Sequence, residues 1–143
     1  MNIRLFLDTN IVLDLLARRP PFYEHVAKIA TLADQGKVKI MVSALSYSKV
    51  NYFLSKFENN EIAQNKLRKF RVISEVADLN ESIIDKGLNS DFRDFEDALQ
   101  YYCAVQSGCD VLLTRNAKDF KGSAIPVMTA EEYVVSWFHR GKL

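Results

Sequence analysis

Short apolar runs alternate with amphipathic stretches along this 143-residue chain. Ile3 to Leu7 forms the first run, and Asp8-Thr9-Asn10 interrupts it with three residues suited to turns and helix N-caps. The pattern predicts a strand ending at Asp8, then a helix carrying Ile11, Leu15 and Leu16 on one face. Pro20-Pro21 is expected to end that helix, because proline lacks an amide donor and restricts the residue before it. A second helix is expected from Phe22 to Gln35, closed by Gly36. Val38 to Val42 has the β-branched, apolar character of a buried strand. Ser43 reads as the cap of a helix whose apolar positions Val50, Phe53, Leu54 and Phe57 recur at helical spacing.

The second half repeats the alternation. Glu61 to Phe70 reads as a helix with Ile62 and Leu67 inward, and Arg71 to Ser74 as a short strand. Asn80 is expected to cap a helix through Leu88, while Phe95 to Ser107 places Ala98, Tyr102 and Val105 on one helical face before Gly108. Asp110 to Leu113 and Ile125 to Met128 are strand-like. Thr129-Ala130-Glu131-Glu132 has the spacing of a capping box and opens the last helix, with Arg140 to Leu143 expected to be loose. Strands alternating with helices imply right-handed crossovers and an α/β fold. The expectation is one domain over residues 1–143, a three-layer α/β/α sandwich with a mainly parallel central sheet. In such folds a ligand site lies beyond the carboxyl ends of the strands, near the reversal in strand order.

Composition adds limits rather than direction. Nineteen Lys and Arg against 18 Asp and Glu give a formal net charge of +1, so attraction to nucleic acid must rest on local clustering. Only Cys103 and Cys109 are available to pair, and Met1-Asn2-Ile3-Arg4 carries no signal-peptide pattern, so reduced thiols and a cytoplasmic location are expected. Val111-Leu112-Leu113 is far shorter than the roughly 20 apolar residues that cross a bilayer, and no membrane association is expected.

Acidic residues fall at predicted strand ends or helix starts in three places: Asp8, Asp94-Phe95-Glu96-Asp97, and the segment Thr114 to Asp119. Carboxylates brought together repel and raise one another's pKa, so their convergence implies a cation that keeps them ionised. Oxygen donors of this kind suit Mg²⁺ or Mn²⁺, and such an ion can activate water for phosphodiester hydrolysis. A plainer reading stands beside this one: Asp8 punctuates a turn, and Asp94 with Asp97 has the spacing of an N-cap and the third helical position. A phosphatase with Asp8 as nucleophile fits poorly, since Asp8-Thr9-Asn10 lacks a second acid two residues on.

Phe6-Leu7-Asp8-Thr9-Asn10, Asp94-Phe95-Glu96-Asp97-Ala98-Leu99 and Leu113-Thr114-Arg115-Asn116-Ala117-Lys118-Asp119-Phe120 resemble, in order and spacing, the motifs of the PIN-domain family. Val42 to Ser46 and Ile125-Pro126-Val127 extend the likeness over nearly the whole chain. The resemblance implies a parallel sheet sandwiched by helices, with Asp8, Asp94 and Asp97 lining a Mg²⁺ or Mn²⁺ site that cleaves RNA; beside them Glu96 is a further acid able to help hold the ion together with a substrate phosphate. It also implies the toxin of a VapC-type toxin–antitoxin pair: an RNA substrate, a homodimer, and a cognate antitoxin peptide laid over the active site. Two positions depart from the family pattern. Aligning from Ser43 puts Lys49 where the family commonly has Glu, and the acid expected after the Thr-Arg pair is Asn116. The alternative function is therefore a catalytically weak PIN module that binds RNA or an antitoxin.

The supporting residues carry two readings each. Thr9 and Asn10 either orient a metal-bound water or cap the first helix, Asn116 either ligates through its amide oxygen or holds a water without supplying charge, and Asp119 either compensates for the missing acid or only caps. Ser43 and Thr114 flank the site by position. Arg115 either grips a substrate phosphate or pairs with a nearby carboxylate. Lys49 is expected to run its stem out to solvent in preference to entering the site. The basic stretch Lys56, Lys66, Arg68, Lys69 and Arg71 reads as a solvated face before it reads as a phosphate track. His25 and His139 are given no catalytic role. Tyr47, Tyr52, Phe53, Tyr101 and Tyr102 supply more aromatic surface than helix packing demands, which suggests an interface.

Overall fold

The computed structural model describes residues 2–141. Five strands, β1 (Ile3–Leu7), β2 (Val38–Ser43), β3 (Ser74–Ala77), β4 (Val111–Leu113) and β5 (Val127–Met128), form one sheet in the order β3-β2-β1-β4-β5. Every pairing is parallel, so each strand is reached by a crossover. The helices in chain order are α1 (Thr9–Leu16), α2 (Tyr23–Asp34), α3 (Ala44–Phe57), α4 (Asn60–Val72), α5 (Glu81–Leu88), α6 (Phe95–Gln106) and α7 (Ala130–Gly141), with a 3-10 turn at Ala117–Phe120.

Side-chain alternation along the strands divides the interior in two. Leu5, Leu7, Val38, Ile40, Val42, Val111 and Leu113 pack with residues of α1, α2, α3, α4 and α7. Phe6, Met41 and Leu112 point to the opposite face and pack with Ile83 of α5 and with Leu99, Cys103 and Ala104 of α6. One sheet with apolar residues on both faces, covered on both sides by helices, is the expected three-layer α/β/α arrangement. Cys103 and Cys109 are buried free thiols in the second cluster.

Several boundaries and faces differ from the sequence expectation. α1 stops at Leu16, before the prolines, because Arg18 takes a positive φ of 51° and Arg19 N–H returns to Asp14 O at 3.0 Å. On α3 the buried stripe is Ser46, Val50 and Leu54, and Phe53 and Phe57 turn outward, Phe57 with 83% of its surface exposed. On α4 the core positions are Ala63 and Phe70, with Leu67 only partly buried, while Ile62 is exposed. α4 also runs through Arg71 and Val72, so β3 begins at Ser74, paired with Ile40, rather than at Arg71. On α6 Ala98 is buried, Tyr102 is partly buried and Val105 is exposed, because Leu99, Cys103 and Ala104 complete the inward stripe. Arg140 and Gly141 belong to α7; the rest of the expected loose tail, residues 142–143, lies outside the described residues.

Candidate active site

β1 is flanked by β2 on one side and β4 on the other, so the strand order reverses there. Asp8 is the first residue beyond β1. Its N–H donates to Leu113 O at 3.0 Å, extending the ladder to β4, while its carboxylate caps α1 by accepting from Thr9 N–H at 2.9 Å. Thr114, immediately beyond β4 and fully buried, donates its hydroxyl to the other oxygen of Asp8 at 2.9 Å. A carboxylate held at both oxygens has its orientation fixed by the fold. Burial nevertheless raises the Asp8 pKa above the usual carboxylate value, against the lowering effect of Thr114, Thr9 and Lys49.

A cleft of about 540 Å³ opens over this point and is lined by Asp8, Asp94, Glu96, Asp97, Asn116 and Asp119 together with Thr9 and Asn10. Asp94 is the N-cap of α6 and accepts from the Glu96 and Asp97 amides at 2.8 and 3.2 Å. Capping and facing the cleft therefore coexist in Asp94. Asp97, one turn on, is pushed up to about 6 by burial first and then by Asp94, Asp8, Asp119 and Glu96. Four separate carboxylates acting on one acid mark a place where negative charge converges without compensation.

The donors are carboxylate and amide oxygens, the set a hard divalent cation prefers, and the unrelieved charge on Asp97 fits such an ion. Among the described residues no three Asp, Glu, His or Cys side chains stand together in an arrangement that could hold an ion as it stands. Three of the four acids have partners of their own: Thr114 and Thr9 hold Asp8, backbone amides hold Asp94, and Lys49 holds Glu96. Lys49 does not run out to solvent. Its ammonium pairs with Glu96 at the cleft, because the excess of carboxylates there attracts the nearest cation.

Arg115 is carried out of the cleft. Its Nε lies 3.2 Å from the fully buried Asp14 Oδ2, and its guanidinium stacks 4.2 Å from the centre of the Phe22 ring, so the ion-pair reading holds. Ser43 is buried beneath the site and caps α3 through Ser46 N–H at 3.1 Å. Asn116 N–H donates to Thr114 Oγ1 at 3.1 Å, which brings the Asn116 side chain to the cleft beside Asp119. The basic stretch is occupied locally: Lys66 pairs with Glu58, and Arg71 donates to Ser74 O.

Sequence reading missed Ser46, Gln100, Asp14 and Arg19. Gln100 Nε2 donates to Ser46 Oγ at 2.7 Å and to Thr9 Oγ1 at 3.1 Å, and Thr9 and Ser46 hydroxyls lie 2.7 Å apart. This network ties α1, α3 and α6 together directly behind Asp8. A signal did exist in the sequence: Gln100 follows Asp97 by three residues, a polar side chain within an otherwise apolar stripe of α6. Asp14 and Arg19 gave no comparable signal, because their pairing depends on the turn after α1.

A parallel α/β sandwich that gathers carboxylates beyond β1 and β4 defines the class of protein. The sequence model of the PIN domain matches residues 4–118, and the chain belongs to that family. It is 26% identical over 139 residues to Ribonuclease VapC1 of Aquifex aeolicus, covering 94% of this chain and 95% of that protein. The fold is similar to that in DNA-bound VapBC from Salmonella typhimurium, with a TM-score of 0.67, 17% identity, and coverage of 90% of this chain and 98% of that one. It is also similar to VapBC2 from Rickettsia felis bound to a promoter DNA fragment, with a TM-score of 0.65, 22% identity, and coverage of 88% and 97%.

Proposed function

We propose that this chain is a divalent-metal-dependent RNA endonuclease and the toxin of a toxin–antitoxin pair. The observation that carries the reading is the convergence of Asp8, Asp94, Asp97 and Glu96 in one cleft of a PIN-domain chain. Its full-length similarity to a protein named as a ribonuclease, and the VapBC pairs among its structural neighbours, support it. Asp8 and Asp97 would hold Mg²⁺ or Mn²⁺, with Asp94 and Glu96 contributing. When bound, such an ion supplies charge neutralisation at the phosphate and lowers the pKa of an attacking water. Thr114 fixes the rotamer of Asp8, and the Gln100–Ser46–Thr9 network fixes the turn that presents it. Asn116 and Asp119 complete the wall from the β4 side, where an amide can orient water without adding charge. Tyr52, Phe53 and Phe57 are exposed along α3, with Phe53 and Phe57 at the cleft, and suit an antitoxin peptide. A homodimer and a cytoplasmic location belong to the same reading. Among the described residues no helix is long and apolar enough to cross a membrane.

The Lys49–Glu96 pair favours one second reading, a weakly catalytic module that binds RNA or an antitoxin. The test uses purified chain, freed of any antitoxin, and a panel of structured RNAs with Mg²⁺ or Mn²⁺. Internal cleavage is expected, lost in Asp97→Asn and Asp8→Asn while the circular dichroism spectrum is unchanged. Binding without cleavage across the panel would establish the second reading instead, and full activity in Asp97→Asn would remove the proposed site.

A further inference from the structure

An acidic cleft that takes a polyanion needs a positive group of its own, and among the described residues only Lys49 and Arg19 supply cations to its lining. Lys49 is engaged by Glu96. Arg19 is built in differently. Its Nε donates to Asp14 Oδ1 at 2.9 Å, and one terminal nitrogen donates to Asn10 O at 3.1 Å, leaving Nη1 without a protein partner among the described residues. Asp14 is fully buried and lies between two guanidiniums, Arg19 on the cleft side and Arg115 on the far side against Phe22. One carboxylate opposite two guanidiniums leaves a surplus positive charge, and both arginines are partly exposed, but only Arg19 lines the cleft while Arg115 stacks on Phe22 away from it. The surplus is therefore presented to the cleft by Arg19.

We propose that Arg19, braced by Asp14 and Asn10, is the residue that binds an RNA phosphate beside the acidic cluster. The role expected of Arg115 from sequence thus passes to Arg19. The brace matters physically: a guanidinium held at two of its nitrogens keeps a fixed plane, and its free edge can donate to a phosphate with little further ordering. Asn10 joins the brace to the Asp8-Thr9-Asn10 turn, so the phosphate site and the carboxylate site share one rigid segment. This inference rests on the nuclease reading for the identity of the anion as RNA, and its test does not depend on cleavage.

The test measures binding of a fluorescein-labelled RNA hairpin by anisotropy, with Ca²⁺ as the divalent ion, over a range of KCl concentrations. Arg19→Gln and Arg115→Gln each take one guanidinium from Asp14, so both disturb the buried pair. Only Arg19→Gln should also weaken RNA binding, by roughly tenfold or more, and lower the slope of log affinity against log salt by about 0.7–1. Arg19→Lys should restore most of the slope, because it retains the charge, and less of the affinity, because it lacks the planar fork. Thermal melting of each variant identifies loss of fold; if Arg19→Gln is unfolded, the Arg19→Lys and Arg115→Gln comparison carries the test. Equal slopes for wild type and Arg19→Gln, an equal loss in folded Arg115→Gln, or no RNA binding by the wild-type chain overturns the proposal. Failure of wild type to cleave the hairpin with Mg²⁺, with the slope difference intact, counts against the nuclease reading alone.

Discussion

Asp97 sits where two effects oppose each other. At the third position of α6 it gains from the helix dipole, worth roughly 0.3–1 kcal/mol, and it loses to burial and the carboxylates around it. The loss wins, since its pKa is pushed up to about 6 from an ordinary 3.8. An acid whose folded pKa exceeds its unfolded one binds more protons when folded, so its contribution to stability falls as pH rises from about 4 through 6. Without metal, Asp97→Asn should therefore melt above wild type at pH 7.5, with the advantage shrinking toward pH 4, where the wild-type acid is protonated. Melting curves in EDTA across that range check this, and a pH-independent difference would contradict it. Stability gained by deleting one charge from a crowded carboxylate cluster is the trade expected where function needs that charge.

Lys49 supplies the complementary case. Its pair with Glu96 is partly exposed on both sides, so it contributes little to stability, about 0–1 kcal/mol. Lys49→Ala should leave the melting temperature nearly unchanged in EDTA. The same change releases Glu96 and removes a nearby positive charge, so Mn²⁺ should bind more tightly by about tenfold or more, since a double and a single positive charge a few ångströms apart in water repel by about 2 kcal/mol. Isothermal titration with Mn²⁺ reads this directly; unchanged or weaker binding would show that Lys49 does not compete for the cleft.

At the scale of elements, caps were the most legible feature. Asn80 accepts from Ile83 N–H at 3.1 Å, and Ser43 and Asp94 cap α3 and α6 as their positions suggested. The Thr129–Glu132 box closes in both directions, with Glu132 N–H donating to Thr129 Oγ1 at 3.1 Å and Thr129 N–H to Glu132 Oε1 at 2.9 Å. Through that box α7 is aimed so that Ala130, Tyr133 and Val134 enter the core. Thr129→Ala should cost about 1 kcal/mol in urea denaturation, and a neutral result would mean that α7 is placed by packing alone. Helix faces were less legible. α3 is apolar on two adjacent sides, and the side that won is marked by Ser46, a buried serine whose hydroxyl meets Thr9, Gln100 and Ser43. A hydrophobic pattern alone assigns Phe53 and Phe57 inward, because it cannot register that a polar network occupies the stripe beside them.

For the whole molecule, the sequence by itself determined the alternation of strands and helices, the parallel class of the sheet, and the acids available at strand ends. These follow from local rules: side-chain period, caps, and the preference of turns for Asp, Asn and Gly. Gly108, with φ of +72° after α6, is one such local decision, since its backbone conformation disfavours a side chain. What only the tertiary structure decided was partnership. Asp8 meets Thr114 across 106 residues because β1 and β4 are neighbours in the sheet, an adjacency that no local pattern encodes. Lys49 and Glu96 meet because α3 and α6 converge on the same cleft. Arg115 left the cleft, and Arg19, which no sequence pattern singled out, came to face it for the same reason: both guanidiniums meet the buried Asp14, and the turn after α1, not the spacing along the chain, set which of the two faces the cleft.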